Sequence, residues 1–534
     1  MLPELTQNVL DFLGNPASYA HHPTEVTLHQ THASWVFVAS PYVYKIKKPV
    51  NFGFMDFTTL AQRKANCDRE VALNRRLTED IYLGVEAISL RDGKLQFGGA
   101  GDGESDVVEW VVKMRELDPR DFLSHRISEK RLELSDLDRV IERLVEFYRQ
   151  QTPLDSAKAQ AAVAQMPKNI ANNYKIARRF IPDCTSKLTI DLIEHFTQSF
   201  ETTHAELLAS RPKSGMIRDC HGDLHLEHIH ITPNEINIYD CIEFNTEFRE
   251  IDIACDIAFL AMDLDFNHRL AESKRLVKQV AVELDDPALP SLVDYYKCYR
   301  ACVRGKVEAL TSAKEEIDEL DQLISRTKSR RYFQLALRHA LVGSKPIAVV
   351  MMGGVGTGKS TLAADLVKET GWLHINSDVI RKEMAGIPAS TRGTPQQRSH
   401  LYSQEMTART YSKLLETAIN KLQDGDPVII DATFSKAAAR DEFRLHLEKK
   451  GYDILWIEAW APRETRLSRL REREQLKDVV SDAREEDFLD RELFYEPPTE
   501  LSPASFLRQS TDGEREKVLG AILTRISAQF AQRI

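Results

Sequence analysis

One eight-residue run constrains this chain more than any other: Gly353-Gly354-Val355-Gly356-Thr357-Gly358-Lys359-Ser360. It follows the uninterrupted apolar run Ile347-Ala348-Val349-Val350-Met351-Met352 and leads into the helix-forming Ser360-Thr361-Leu362-Ala363-Ala364-Asp365-Leu366. An apolar run of that length, bounded by turn formers, reads as a strand buried on both faces of a parallel sheet. The spacing Gly-x-x-x-x-Gly-Lys-Ser between a strand and a helix is the Walker A pattern. Its glycines let backbone N–H groups wrap phosphates with no Cβ in the way. Lys359 supplies positive charge to the β- and γ-phosphates, and the Ser360 hydroxyl suits Mg²⁺. Gly353, Gly354, Val355, Gly356, Thr357, Gly358, Lys359, Ser360 and Thr361 are therefore expected to bind nucleotide, with Lys359 also catalytic and Ser360 also a metal ligand.

The surrounding text is consistent with that frame. Strand-like runs at Pro427 to Ile430 and Ile454 to Glu458 alternate with helical segments, which predicts an α/β domain with a doubly wound parallel sheet. Val428-Ile429-Ile430-Asp431 is an apolar strand ending in a carboxylate, so Asp431 is a candidate Mg²⁺ ligand; a helix-capping role is the bland alternative. Asp378, in Asn376-Ser377-Asp378, follows Leu373-His374-Ile375 and falls at the carboxyl end of a strand, where such sheets bind ligands. There it would orient or deprotonate an acceptor hydroxyl, or merely cap a helix. The Arg- and Glu-rich run from Arg463 to Arg473 would ordinarily be a solvated, ion-paired face. After a strand in a Walker A protein it reads as a lid, with Arg469 and Arg473 neutralising charge on a transferring phosphoryl group. These residues resemble the P-loop kinases grouped with polynucleotide kinase, zeta toxin and chloramphenicol phosphotransferase. That resemblance spans about 190 residues and implies ATP-dependent phosphoryl transfer to a hydroxyl, with Asp378 as base candidate.

A second chemistry-bearing segment lies far upstream. Asp219-Cys220-His221-Gly222-Asp223-Leu224-His225 is followed by Ile238-Tyr239-Asp240-Cys241. A loop carrying one Asp and then a strand ending in another is the layout of kinase-like sites, the first Asp as base and the second on Mg²⁺. Val43-Tyr44-Lys45-Ile46-Lys47 reads as a strand presenting Lys45 to phosphates, and Glu70 on a following helical pattern would hold it. Val111-Val112-Lys113-Met114 would be the hinge. Across residues 25–310 these features resemble the aminoglycoside phosphotransferase family of kinase-like proteins. The resemblance implies that Asp223 is the base, Asp240 a metal ligand, and Lys45 and Glu70 part of the nucleotide site. The chain as a whole looks like bacterial two-domain proteins in which such a domain is fused to an ATP-binding kinase domain.

Two departures mark the upstream domain. His228 stands where the family commonly has an Asn metal ligand, and imidazole suits softer metals than Mg²⁺. The run His29-Gln30-Thr31-His32-Ala33-Ser34 before the Lys45 strand has no glycine, so phosphate contacts would fall to Thr31, Ser34 or the backbone. A weak kinase and a pseudokinase are the two readings that remain. His221, His225, His228 and His230, with Asp223 nearby, also allow a Zn²⁺ site, although the catalytic-loop reading accounts for more of the neighbouring sequence.

The layout expected for 534 residues is a bilobal α+β kinase-like domain over 1–310, with lobes at about 25–117 and 118–310. A charged, solvated helical connector over 311–343 and the P-loop domain over 344–534 complete it. No stretch approaches ~18 apolar residues, which argues against a membrane span. The start of the chain lacks a basic region before an apolar run, which argues against a secretory signal. Seven cysteines, without a CxxC pair, fit a reducing cytoplasm and small buried side chains; Cys298 and Cys302, four apart, are the one helical pair. The net charge of -10 disfavours a polyanion-coating protein. The function expected is phosphotransfer from ATP, with Mg²⁺, to a hydroxyl-bearing small molecule. The alternatives are an ATPase switch joined to a pseudokinase binding module, and a kinase for nucleic-acid 5′-hydroxyls, which the acidic balance weakens.

Overall fold

The computed structural model describes residues 3–53, 55–78, 80–98, 106–315, 317–389, 391, 394–475, 485 and 488–530. The chain divides into two compact units. Unit 1 comprises Met1–Lys168, Ala205–Asn267 and Glu272–Val293, and unit 2 comprises Asn169–His204, His268–Ala271 and Asp294–Ile534.

Unit 1 opens with a sheet of β1 (Thr27–Gln30), β2 (Ser34–Ala39), β3 (Tyr42–Lys47), β4 (Tyr82–Arg91), β5 (Lys94–Phe97) and β6 (Val107–Arg115). Their spatial order is β1-β2-β3-β6-β4-β5, and each neighbouring pair is antiparallel. Strand alternation sorts the side chains onto two faces. Phe37, Tyr44, Ile46, Ile88 and Val111 form one apolar cluster, while Tyr82, Ala87, Trp110, Val112 and Met114 form another. The second face receives Cys67 and Val71 from the helix Leu60–Asn74, which Thr59 and Gln62 start with a reciprocal capping box. Tyr44 and Ile46 belong to the first face, so the alternation turns Lys45 and Lys47 toward the helix that carries Glu70.

The rest of unit 1 is mainly helical and holds two small antiparallel pairs. These are β7 (Ile217–Asp219) with β10 (Glu250–Asp252), and β8 (Ile229–Ile231) with β9 (Ile236–Ile238). The helix Ile253–Phe266 is buried from Ile253 to Asp265. Arg211 bridges Asp252 and Asp286 beside it, each pair bidentate and about 2% exposed.

Unit 2 is built on a parallel sheet of β11 (Ile347–Met352), β12 (Leu373–Asn376), β13 (Val428–Asp431), β14 (Asp453–Trp460) and β15 (Phe506–Ser510), in the order β12-β13-β11-β14-β15. All of β11 is buried, and at about 1.5–3 kcal/mol for each large side chain its apolar run fixes it at the centre. Strand order reverses on either side of β11, so the loop after it opens into the crevice where such sheets bind ligands.

The expected solvated connector is different in the structure. The helix Glu319–Val342 belongs to unit 2, and Tyr332, Phe333 and Leu335 to Val342 along it are buried. Its charge is concentrated in the first turns, whereas its last turns read RYFQLALRHALV and find a core. Beyond it, Asp294 accepts hydrogen bonds from the Ser344 backbone N–H at 2.9 Å and the Ser344 hydroxyl at 2.5 Å, with His339 Nδ1 at 3.2 Å. All seven cysteines are buried and outside disulfides. Among the described residues, no helix is long and apolar enough to cross a membrane.

Candidate functional site

Each unit gathers its own constellation. In unit 2 the loop 353–358 joins β11 to the helix Lys359–Thr370. Gly356 has φ +77, and a Cβ there would stand 2.7 Å from the Arg466 carbonyl oxygen, so the position admits only glycine without strain. The loop is tied in from outside. Gly353 N–H donates to Thr433 O at 3.3 Å, Arg466 Nε donates to Val355 O at 2.9 Å, and Arg469 donates to Thr357 O at 3.3 Å. Arg469 also donates to the Thr511 hydroxyl and carbonyl, both at 2.9 Å.

Asp431 ends β13, next to β11, and is 1% exposed. Its Oδ2 accepts from Asn376 Nδ2 at 2.7 Å, with His374 Nε2 at 3.7 Å, while its buried Oδ1 has no hydrogen-bond partner. Burial pushes this carboxyl up, but the nearby His374, the Lys359 charge and the Ser360 hydroxyl outweigh it and hold its pKa below the usual value, so it is ionised at pH 7. Asn376 Oδ1 meanwhile accepts from the N–H groups of Asp378 and Val379, capping the helix Ser377–Met384. Asp378 Oδ1 accepts from Arg381 Nη1 at 2.7 Å and from the Tyr402 hydroxyl at 3.4 Å. Beside the loop lies a cavity of about 380 Å³ whose walls include Gly358, Thr361, Arg469, Arg473, Thr511 and Arg515.

In unit 1 the site is made of side-chain charges. Lys45 Nζ lies 2.8 Å from both Glu70 Oε1 and Asp240 Oδ1. Lys47 reaches the other Glu70 oxygen at 2.5 Å and also pairs with Glu243. Burial alone would lower the Lys45 pKa, but Asp240 and then Glu70 raise it well above its ordinary value, so it is a fixed cation. Burial alone would raise Asp240, and Lys45 followed by His228 reverses this, holding it far below the carboxylate range. Asp240 has φ +62, a conformation that Asp tolerates better than most residues.

The loop bearing Asp223 is held from behind by Asp256, buried in the helix Ile253–Phe266. Its carboxylate accepts from the His221 N–H at 3.0 Å, the Gly222 N–H at 2.9 Å and the Tyr148 hydroxyl at 2.8 Å. Gly222 has φ +87, and a Cβ there would meet Phe248 O at 2.8 Å. Leu226 N–H donates to Asp263 at 3.0 Å. His225 Nε2 lies 3.5 Å from Asp223 Oδ2, and His228 Nε2 lies 3.6 Å from Asp240 Oδ2. Burial and the neighbouring His225 push the His228 pKa down to about 4, so its ring is neutral at pH 7.

The structure thus brings Lys45, Glu70, Asp223, His228 and Asp240 together in unit 1, and Lys359, Ser360, Asn376 and Asp431 together in unit 2. Arg469 and Arg473 lie on the cavity wall beside the loop. Thr31, by contrast, is committed to a turn: its hydroxyl accepts from the Ser34 N–H at 3.0 Å, and Ser34 itself is buried. His230 leaves the histidine group, packing its ring on Phe122. Sequence reasoning missed Lys47, Glu243 as its partner, Asp256, Arg466 and Thr511. The helix cap at Asn-Ser-Asp was one of its two readings and Asn376 makes it, but the bond from Asn376 to Asp431 left no signal.

Residues 349–498 match the AAA domain family. An uncharacterized protein of Mycobacterium tuberculosis is 32% identical over 428 residues, 79% of this chain and 81% of the relative, and one of Mycobacterium bovis matches to the same extent. The chain belongs to the family of these mycobacterial proteins, and the shared sequence extends well beyond 349–498. Among solved structures, a sugar kinase from Janibacter is 22% identical, covering 35% of this chain and 98% of its own with a TM-score of 0.27. A gluconokinase from Sinorhizobium meliloti is 17% identical, covering 35% and 95% with a TM-score of 0.25.

Proposed function

We propose that the chain is an ATP-dependent phosphotransferase with a nucleotide site in each unit, and that unit 2 carries the transfer to a hydroxyl of a small molecule. The carrying observation is the unpartnered, buried Oδ1 of Asp431 next to the phosphate-binding loop. An ionised carboxylate oxygen left without a donor in such a place suits a divalent cation. Ser360 and Asp431 would hold Mg²⁺, which supplies charge neutralisation at the β- and γ-phosphate oxygens. The loop's N–H groups and Lys359 hold the phosphates, and the cavity walled by Arg469, Arg473 and Thr511 takes the nucleoside. Asp378, fixed by Arg381 and Tyr402, orients the acceptor hydroxyl and takes up its proton.

In unit 1, Lys45 and Glu70 would serve a second nucleotide, with Asp223 as base and Asp240 and His228 as metal ligands. The bilobal kinase-like fold of this unit and a cytoplasmic setting belong to the same proposal. Unit 1 is the weaker catalyst, because the turn that would cover phosphates spends Thr31 on itself.

The test is transfer of label from γ-labelled ATP across a panel of sugars, nucleosides, aminoglycosides and 5′-hydroxyl oligonucleotides. Label on one acceptor class is the expected result. Label found only in free phosphate across the whole panel would favour an ATPase switch instead.

A further inference from the structure

The histidines of the Asp223 loop are not fully used by a phosphotransfer reading, and their geometry separates them. His221 spends both ring nitrogens on backbone: Nε2 lies 2.9 Å from Tyr239 O, and Nδ1 accepts from the Asp223 N–H at 3.3 Å. His230 packs on Phe122. His225 and His228 converge instead, with ring centroids 3.8 Å apart. One donor atom each from Asp223, His225 and His228 lie within 4.8 Å of one another.

We propose that Asp223, His225 and His228 form a binding site for a divalent transition-metal ion of the zinc type, with Asp240 beside it. His228 Nδ1 lies 2.9 Å from the Asp223 carbonyl oxygen, which places the ring proton on Nδ1 and the lone pair on Nε2. That lone pair lies 3.6 Å from a carboxylate oxygen of Asp240, so two electron-rich atoms face each other. A histidine whose other nitrogen donates to a backbone carbonyl is the usual arrangement of a metal ligand, because the hydrogen bond fixes the tautomer and aims the ring. His225 is 2% exposed; its Nε2 faces Asp223, while its Nδ1 lies 3.8 Å from Glu227 Oε2, beyond hydrogen-bond reach.

The spacings agree with such an ion. Metal–ligand bonds of roughly 2.0–2.2 Å in tetrahedral array put ligand atoms roughly 3.3–3.6 Å apart. The observed separations are 3.5 Å from His225 Nε2 to Asp223 Oδ2 and 3.6 Å from His228 Nε2 to Asp240 Oδ2. Two imidazoles and a carboxylate select zinc, cobalt or nickel over Mg²⁺, which prefers oxygen. An ion held by Asp223 takes that carboxylate out of service as a base, so this site replaces base catalysis in unit 1 and leaves transfer by unit 2 unaffected.

The full-length protein, stripped with a chelator and free of nucleotide, is titrated with Co²⁺ in excess Mg²⁺ while its visible absorption is followed. One tightly bound equivalent is expected, displaced by Zn²⁺, with the bands of a nitrogen- and oxygen-ligated ion. His228→Asn and His225→Gln should each weaken binding at least about 10-fold. His446→Gln, at an exposed position of unit 2, should not. Failure to retain Co²⁺ or Zn²⁺ against Mg²⁺ would overturn the proposal, as would unweakened binding in His228→Asn. An intense near-ultraviolet thiolate band would do the same, because it would move the ion to cysteines such as Cys298 and Cys302. If circular dichroism finds His225→Gln unfolded, the wild-type spectrum and His228→Asn decide the matter.

Discussion

Lys359 stands on a loop made almost wholly of backbone, whereas Lys45 stands in a cage of carboxylates. In unit 2 the loop is shaped by its glycines and braced by Arg466 and Arg469 through backbone carbonyls. In unit 1 the charges satisfy one another: Lys45 and Lys47 are paired with Glu70, Asp240 and Glu243. The difference is one of where preorganisation is stored. A backbone cradle is shaped before its ligand arrives and loses little when a side chain is removed. A side-chain cage is part of the fold, and removing one member leaves buried charge behind.

That contrast predicts unequal penalties. Lys45→Met should destabilise the protein by about 3 kcal/mol in urea unfolding at pH 7, because Asp240 loses its ion-pair partner and Glu70 is left with Lys47 alone. Lys359→Met should change stability by less than about 1 kcal/mol. Equal effects would break the comparison.

The pH dependence sharpens it. In the wild type, Asp240 and Glu70 are held below their unfolded values, so their contribution is present above the ordinary carboxylate range and is lost as pH falls through it. Without Lys45 that depression shrinks, because burial is opposed only by Lys47 at Glu70 and by His228 and Lys47 at Asp240. The native state of Lys45→Met therefore binds more protons than that of the wild type, and the variant should lose less stability as pH falls from 7 toward 4. Paired unfolding curves at the two pH values read the shallower slope.

A smaller effect is expected from the backbone cradle. Gly356→Ala forces a Cβ onto the Arg466 carbonyl at a left-handed φ, and nucleotide affinity measured by calorimetry should fall about 10-fold for a cost of about 1.4 kcal/mol. Smallest is Thr31→Ala. It removes the hydroxyl's turn contacts, of which the Ser34 N–H bond at 3.0 Å is the shortest, so it should cost about 0.5–1 kcal/mol in thermal unfolding and leave ATP turnover unchanged.

Much of unit 2 was legible because its signals are local. A six-residue apolar run, a glycine loop and a strand ending in Asp431 are all contiguous, and β11 occupies the expected residues. In unit 1, Lys45, Glu70, Asp223 and Asp240 were found by their order along the chain, and the structure brings them into one cluster. What escaped depends on contacts across long stretches of sequence. Asp256 holds the Asp223 loop from 33 positions away, and Arg466 braces Val355 from 111 positions away. Neither residue differs locally from an ordinary helical Asp or surface Arg. The helix Glu319–Val342 was misread as solvated because its first turns are charged, although its last turns carry the apolar residues that enter the core.

ATP turnover by unit 2 is what separates the two sites most sharply. The direct measurement is total release of label from γ-labelled ATP, to acceptor or to water, by full-length wild type, Lys359→Ala and Asp223→Ala. Lys359→Ala should lose about 100-fold or more of the rate, while Asp223→Ala keeps most of it. Turnover that survives Lys359→Ala and disappears with Asp223→Ala would contradict it.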